Sequence, residues 1–223
     1  MFRAVGTLIT LFLIAFQASA AVLVQTNDPG WYNNDIGTLL NLSNTGTDDA
    51  SEPFPVNNDS TATFPTAPDL SAAGAILGNW LSDPIHLNAH WSSTPVSIPN
   101  SWAVGTEVAV IYQFDTLSAT NVVAHLGVDN GIFAWLDGAY LFGARGPGRV
   151  QAGEYVLNLG DFDAGTHYLQ LLLEDHGTTN GYAVEITADE FTPGPPPVVP
   201  APATALCLTL GLGLLAGRRR ARA

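Results

Sequence analysis

Short runs of apolar, β-branched and aromatic residues fill the second half of the chain, and Gly, Asn and Asp separate them. Runs of this kind with turn residues between them are typical of β-strands. The pattern predicts strands at residues 108–114, 122–128, 132–136, 139–142, 155–159, 167–174 and 182–187. Short strands at this spacing indicate an all-β, antiparallel sandwich.

Asp-Gly and Asn-Gly pairs mark the predicted hairpin turns. Asp137-Gly138 stands between two apolar runs, and both residue types tolerate the positive φ of a two-residue turn. Asn130-Gly131 and Asn180-Gly181 offer the same chemistry. The run at 167–174 is almost continuously apolar at its centre, which predicts a strand covered on both faces or partly covered by a loop.

The first half of the chain is less regular. Between Thr26 and Leu70 it is rich in Asn, Asp, Thr, Ser, Gly and Pro, which predicts long loops. Residues 21–24 and 37–42 are the candidates for a strand or a short turn there. Apolar residues at helical spacing over 70–81, interrupted by Gly74 and Gly78, predict a short helix.

Charge is distributed unevenly. The chain has no Lys, five of its seven Arg lie near its two ends, and all 20 acidic residues fall between Asp28 and Glu190. That central stretch holds two Arg and therefore carries a net charge of −18. Nucleic-acid affinity depends on Lys and Arg that neutralise phosphates, so nucleic-acid binding is excluded. The single Cys207 allows neither an internal disulfide nor a Cys-based zinc site.

The N-terminus has the pattern of a secretory signal. A charged start at Arg3, an apolar stretch over 5–16 and the small residues at 18–20 predict a signal peptide at residues 1–20 that signal peptidase removes. The alternative is a transmembrane anchor, but the apolar run is too short to span a bilayer. An exported domain over residues 21–192 follows.

The C-terminus has three parts: a Pro-rich linker at 193–202, an uncharged apolar segment at 203–217 and a basic tail at 218–223. As a helix the apolar segment spans about 22 Å at ~1.5 Å per residue, against a hydrocarbon core of ~30 Å. It predicts a marginal transmembrane helix whose Arg-rich end stays in the cytoplasm.

This tail resembles the PEP-CTERM sorting signal, which exosortase processes in Gram-negative bacteria that make exopolysaccharide. The matching residues are Val199, Pro200, Ala201, Pro202, Ala203 and Thr204, then the apolar helix, then Arg218, Arg219 and Arg220. Ala201 stands where the family usually has Glu. The resemblance implies an inner-membrane intermediate that is released to the cell surface or the extracellular matrix. A plain C-terminal membrane anchor is the alternative.

The domain itself resembles jelly-roll carbohydrate-binding modules of the galactose-binding-like and protective-antigen-type families. Residues 127–143 (GVDNGIFAWLDGAYLFG) and 159–172 (LGDFDAGTHYLQLL) carry the likeness. In the sugar-binding protective-antigen-type members an Asp pair coordinates calcium, which bridges sugar hydroxyls. The resemblance assigns that role to Asp129 and Asn130, with Asn130 in place of the second Asp.

Other candidate sites have ordinary explanations as well. The acidic loops at 160–165 and 174–175 could also bind calcium, although Asp and Asn are common turn residues. His86 and His90 have the i, i+4 spacing of metal ligands but lack the Glu of a metalloprotease helix. Asp161 and Asp163 could form a glycosidase pair. Five Trp could stack on sugars or lie in the core; these are Trp31, Trp80, Trp91, Trp102 and Trp135.

Taken together, these patterns favour a non-enzymatic exported protein that binds or organises exopolysaccharide, with calcium as the candidate cofactor. A secreted glycan-active hydrolase and a purely structural envelope protein are the alternatives. No nucleophile elbow or phosphate-binding loop is present in the sequence.

Overall fold

The structure is a computed structural model that describes residues 20–40, 42, 62–146, 149–175 and 179–194. The predicted signal peptide up to residue 19, the apolar segment, the basic tail and the motif Val199–Thr204 lie outside the described residues. Within the described residues, no helix is long and apolar enough to cross a membrane.

The described chain is almost entirely β-structure. A 3₁₀ turn at Ser71–Ala73 and a single short helix, α1 (Gly74–Leu77), interrupt it. The strands are β1 (Ala21–Gln25), β2 (Pro29–Gly37), β3 (Ala62–Phe64), β4 (Val96–Ser97), β5 (Glu107–Leu136), β6 (Ala139–Gly146), β7 (Tyr155–Phe162), β8 (Gly165–Glu174), β9 (Gly181–Ala188) and β10 (Glu190–Pro193). These strands pair with one another in antiparallel orientation.

The 30-residue strand β5 makes the sheet curl. Its residues 107–116 pair with β2 and β8, and its residues 131–136 pair with the other edge of β8 and with β6. Its middle residues, 119–129, pair instead with β7 and β9. β5 therefore belongs to two layers: β4, β2, β8, β6 and β3 join its ends, whereas β7, β9 and β1 join its middle.

Two apolar cores follow from this arrangement. The larger core lies between the layers, where Val110 and Leu171 of one layer meet Leu126 and Ile186 of the other. The smaller core lies on the opposite face of the first layer, where α1 and the following loop cover Phe133, Trp135 and Leu172. Alternate residues of β8 contribute to the two cores, which confirms that this strand is covered on both faces.

The turn predictions had mixed outcomes. Asp137 and Gly138 have φ values of 50° and 78°, so this pair forms the predicted hairpin turn. The predictions for Asn130-Gly131 and Asn180-Gly181 were wrong, because neither pair contains a residue of positive φ. The first pair continues β5 and the second leads into β9.

The first half of the chain is more ordered than its composition suggests. β2 forms over residues predicted to be a loop, because its polar sequence is held between β5 and β4. Residues 38–40 form a turn. The predicted helix over 70–81 is confirmed only over Gly74–Leu77, since Gly78, whose φ is 61°, ends it.

Candidate functional site

Asp129 and Asn130 lie where β5 passes from one layer to the other. Asp129 pairs with Gly181 of β9 in the second layer, and Asn130 pairs with Gly146 of β6 in the first. Both residues are only 4% exposed, and the peptide bond between them is cis. Asn130 Nδ2 donates a hydrogen bond of 2.9 Å to Asp129 Oδ1. An acid and an amide thus contact each other in a buried part of the curled sheet.

Thr179, just before β9, borders this pair on one side. Thr179 Oγ1 lies 3.5 Å from Asp129 Oδ2. The Asn180 side chain holds the backbone of Trp102, accepting from Trp102 N and donating to Trp102 O, each at 3.0 Å. Asp175 Oδ2 accepts a hydrogen bond of 2.7 Å from Gly105 N. These bonds attach the loop before β5 to the residues that follow β8.

Residues 149–154, before β7, border the pair on the other side. A Cβ on Gly127 would lie 2.0 Å from the Gln151 carbonyl oxygen, and one on Gly181 would lie 2.9 Å from Val150 Cγ2. Glu154 Oε2 accepts a 3.4 Å hydrogen bond from Val128 N. Burial, and then the neighbouring Glu154 carboxylate, raise the pKa of Tyr155. The two glycines therefore allow this loop to lie directly against the strands that carry the pair.

A row of buried charged residues crosses the first layer next to Asn130. Strand register aligns Glu107 with Glu174, Glu174 with Gly131, and Gly131 with Arg145. Glu107 and Glu174 are fully buried and Arg145 is 6% exposed. Glu107 Oε1 accepts a 3.0 Å hydrogen bond from Leu42 N. Sequence analysis did not single out Glu107 or Arg145, because strand register alone brings them together.

The donor atoms at Asp129 and Asn130 are hard oxygens of the kind that calcium prefers. The described part of the chain contains no group of three or more His, Cys, Asp or Glu residues placed to hold a metal ion. Protein carboxylates alone therefore do not complete a calcium site here. Calcium commonly takes carbonyl, water and hydroxyl oxygens as further ligands, so the pair fits a site that is shared with solvent or with a ligand.

The other acidic candidates do not join this pair. Asp175 of the 174–175 candidate binds the loop before β5, as described above. Asp161 Oδ1 accepts a 2.9 Å hydrogen bond from Asn121 N, and the Asp163 carbonyl oxygen accepts one of 2.7 Å from Thr116. Asn121 and Thr116 lie in and just before the first residues of the middle segment of β5, whereas Asp129 is the last residue of that segment. Both Asp161 and Asp163 are exposed, so the acids at 160–165 secure a turn.

The two histidines of the i, i+4 pair contact different acids. His86 Nδ1 lies 2.8 Å from Asp83 Oδ1, and His90 Nδ1 lies 2.8 Å from Asp35 Oδ2. The helix that would place both imidazoles on one face is absent from these residues, which form turns. Each His therefore secures a different loop contact.

Three of the five tryptophans are core residues. Trp80 is 2% exposed, and its ring lies 5.7 Å from that of Trp91 and 5.5 Å from that of Trp135. Trp31 and Trp102 are half-buried. Trp102 Nε1 donates a 2.9 Å hydrogen bond to Thr106 O. The backbone of Trp102 is hydrogen-bonded to Asn180, which follows Thr179, the neighbour of Asp129. Trp102 is therefore the tryptophan linked to the Asp129 and Asn130 site.

Comparison with known proteins gives distant structural likenesses. No family model matches the chain, and no curated protein matches it. The PA14 domain of the MpAFP antifreeze protein is 13% identical, with 79% of this chain and 92% of that chain covered and a TM-score of 0.31. A PA14 sugar-binding domain from an RTX adhesin is 14% identical, covering 63% and 77%, with a TM-score of 0.27.

A cupin 2 domain-containing protein from Halorhodospira halophila is 13% identical, covering 69% of this chain and 77% of that chain, with a TM-score of 0.15. At this level of overlap the function has to be argued from the geometry of the site itself.

Proposed function

We propose that the chain is an exported, non-enzymatic carbohydrate-binding module whose ligand site is at Asp129 and Asn130. The observation that carries the proposal is the position of this pair. A carboxylate and an amide, each 4% exposed, lie where β5 passes between the layers, beside Thr179 and the loop at 149–154. Ligand sites of β-sandwiches commonly lie in loops at one end of a rigid scaffold.

Calcium is the cofactor we propose for this site. Asp129 would supply a carboxylate oxygen and Asn130 an amide oxygen. A bound calcium ion would accept hydroxyl oxygens of the glycan as further ligands. Asn130 brings less negative charge than a second Asp would, so we expect weak binding of calcium. The hydrogen bond from Asn130 Nδ2 to Asp129 Oδ1 holds the two side chains side by side.

Trp102 is the proposed aromatic contact for the sugar. Its backbone is held by Asn180, and its indole is half-buried and hydrogen-bonded to Thr106 O. The indole packs in part against the larger core, and the part that stays exposed can pack against the apolar face of a sugar ring. The jelly-roll architecture, expected from the sequence, is consistent with the curled antiparallel sheet.

A direct test measures glycan binding by the full-length protein on an array of neutral and acidic glycans, in calcium and in chelator. We expect saturable binding in calcium, with a component that chelator abolishes. Asp129→Ala should abolish that calcium-dependent component as well. Glu190→Ala removes the same charge from an exposed position on β10 and should leave binding unchanged.

The same assay separates the alternatives. A hydrolase would release sugars from the glycan, and a purely structural envelope protein would neither bind nor release them. Calcium-dependent binding that persists in Asp129→Ala would contradict the assignment of the site.

We propose further that exosortase processes the C-terminal tail and that the protein passes through the inner membrane to the cell surface or matrix of a Gram-negative bacterium. The support is the order of Val199–Thr204, an apolar segment and the Arg cluster. In a host with exosortase, mass spectrometry should find a C-terminus near Pro202, without Cys207. Recovery of full-length protein alone would favour a simple membrane anchor.

A further inference from the structure

A depression lies on the outer face of the layer formed by β1, β9, β7 and the middle of β5. Its volume is about 190 Å³, and Gln25, His125, Ala152, Ala183 and Glu185 are among the residues that line it. It lies on the face opposite the larger core, because Val24, Ala124 and Ile186, each adjacent in sequence to a lining residue, are buried in that core. The depression is therefore distinct from the Asp129 and Asn130 site.

Strand register places the three polar side chains in one row. Glu185 of β9 pairs with Gln25 of β1 on one side and with His125 of β5 on the other. Neighbouring strands are ~4.8 Å apart, so the row extends across roughly 10 Å of the sheet surface. An amide, a carboxylate and an imidazole thus meet in one concave surface.

These side chains are not used to hold the fold together. His86, His90 and His167 each contact an Asp side chain. By contrast, the side chains of Gln25, His125 and Glu185 make no hydrogen bond or ion pair to another residue in the part of the chain that the structure describes. Their donors and acceptors face the depression and the solvent.

The chemistry of the lining selects the class of ligand. None of the described residues that line the depression is a Phe, Tyr or Trp, so recognition depends on hydrogen bonds. Carboxylate oxygens accept, amide groups donate and accept, and a neutral imidazole does both, which suits adjacent sugar hydroxyls. Glu185 lines the depression and Glu154 lies in the adjoining loop, so anionic sugars are disfavoured by charge repulsion.

We infer that this depression binds a single neutral sugar ring, as a second contact for the glycan; the inference rests on the proposed function in carbohydrate binding. Its volume is below the ~300–1,000 Å³ of sites for drug-sized ligands, which restricts it to one ring. We expect binding here without a metal ion, because Glu185 is the only carboxylate among the described residues that line the depression.

The loop at 149–154 connects the two sites. Ala152 lines the depression, Gln151 O lies against Gly127, and Glu154 accepts from Val128 N, one residue before Asp129. A polysaccharide that leaves the first site across this loop reaches the second. Two linked contacts raise the apparent affinity for a chain above that for a single ring.

The test uses isothermal titration of the full-length protein, in chelator, with the methyl glycosides of glucose, galactose, mannose and glucuronic acid. We expect at least one neutral glycoside to bind saturably and the glucuronide not to bind. Glu185→Ala and His125→Ala should each weaken binding by about tenfold or more. Glu190→Ala, an exposed change of the same charge on β10, should have no effect.

Two results would overturn the inference: no saturable binding of any neutral glycoside in chelator, or binding that Glu185→Ala and His125→Ala leave unchanged. If Glu185→Ala does not fold, Glu185→Gln, which preserves the shape of the side chain, tests whether the carboxylate is needed for sugar binding. Asp129→Ala should leave the sugar binding measured in chelator intact. If Asp129→Ala abolished that binding, the depression would not be a separate site. The calcium-dependent binding measured on the glycan array tests the proposed function at Asp129 and Asn130 separately from the depression.

Discussion

At the scale of single residues, the larger core contains a pair of hydrogen-bonded tyrosines. The hydroxyl groups of Tyr112 and Tyr182 contact each other, and the two residues are 1% and 4% exposed. Burial raises the pKa of Tyr112 to about 12. Burial also raises the pKa of Tyr182, as does the neighbouring Tyr112. Both hydroxyls therefore stay protonated in the folded protein at pH values where exposed tyrosines ionise.

This pair predicts a loss of stability at alkaline pH. Above pH ~10 the unfolded chain releases tyrosine protons that the folded chain retains. The free energy of unfolding should therefore fall as the pH rises from about 10 through 12. Denaturant unfolding from pH 8 to 12 measures this free energy. The double variant Tyr112→Phe, Tyr182→Phe should show a smaller decrease of the free energy of unfolding with pH. An unchanged slope in that double variant would contradict the prediction.

At the scale of elements, the long strand β5 connects the layers, and neighbouring loops pack closely against its backbone. Gly127 is the closest of these approaches, since a Cβ there would lie 2.0 Å from the Gln151 carbonyl oxygen. The contact is with backbone, which cannot move aside by changing a rotamer. This glycine therefore determines how closely residues 149–154 pack beside both proposed sites.

We expect Gly127→Ala to displace that loop and to lower the free energy of unfolding by about 1–3 kcal/mol. It should also weaken glycan binding. Gly74→Ala is the matched control, because a Cβ at Gly74 would have no atom within 4 Å and its φ is −56°. That variant should be neutral or more stable by about 0.4–1 kcal/mol. Equal effects of the two variants, measured by urea unfolding, would show that the close approach is not needed.

At the scale of the whole molecule, acidic charge dominates. The stretch from Asp28 to Glu190 carries a net charge of −18, and folding brings those carboxylates closer together. A cation that binds the native state alone would relieve the repulsion and would stabilise the fold by mass action.

We therefore expect calcium to raise the unfolding midpoint of the full-length protein. A hundredfold excess over Kd adds about 2.7 kcal/mol, which is a shift of roughly 5 to 10 °C for a domain of this size. Thermal unfolding in millimolar calcium, in magnesium and in chelator measures the shift, with Asp129→Ala as the variant that removes it. Coincident transitions in the three solutions, or a calcium-specific shift retained in Asp129→Ala, would refute the site.

The local pattern of the sequence determined the class of the fold. Apolar periodicity and turn residues predicted β-structure in the second half, the hairpin at Asp137-Gly138 and the covered strand β8, all of which the structure contains. The three strands predicted at 108–114, 122–128 and 132–136 are instead one continuous strand, β5. These features depend on neighbouring residues, because strand propensity and turn geometry are local properties. The export and sorting signals at the two ends are read from the sequence alone and stay predictions.

Tertiary structure decided which residues meet. β2 forms from polar residues because pairing with β5 and β4 overrides their local preference. Glu107, Glu174 and Arg145 align through strand register, as do Gln25, Glu185 and His125. Register depends on contacts between residues distant in the chain. The sequence pointed to Asp129 and Asn130, but the long path of β5 placed them, buried, between the two layers.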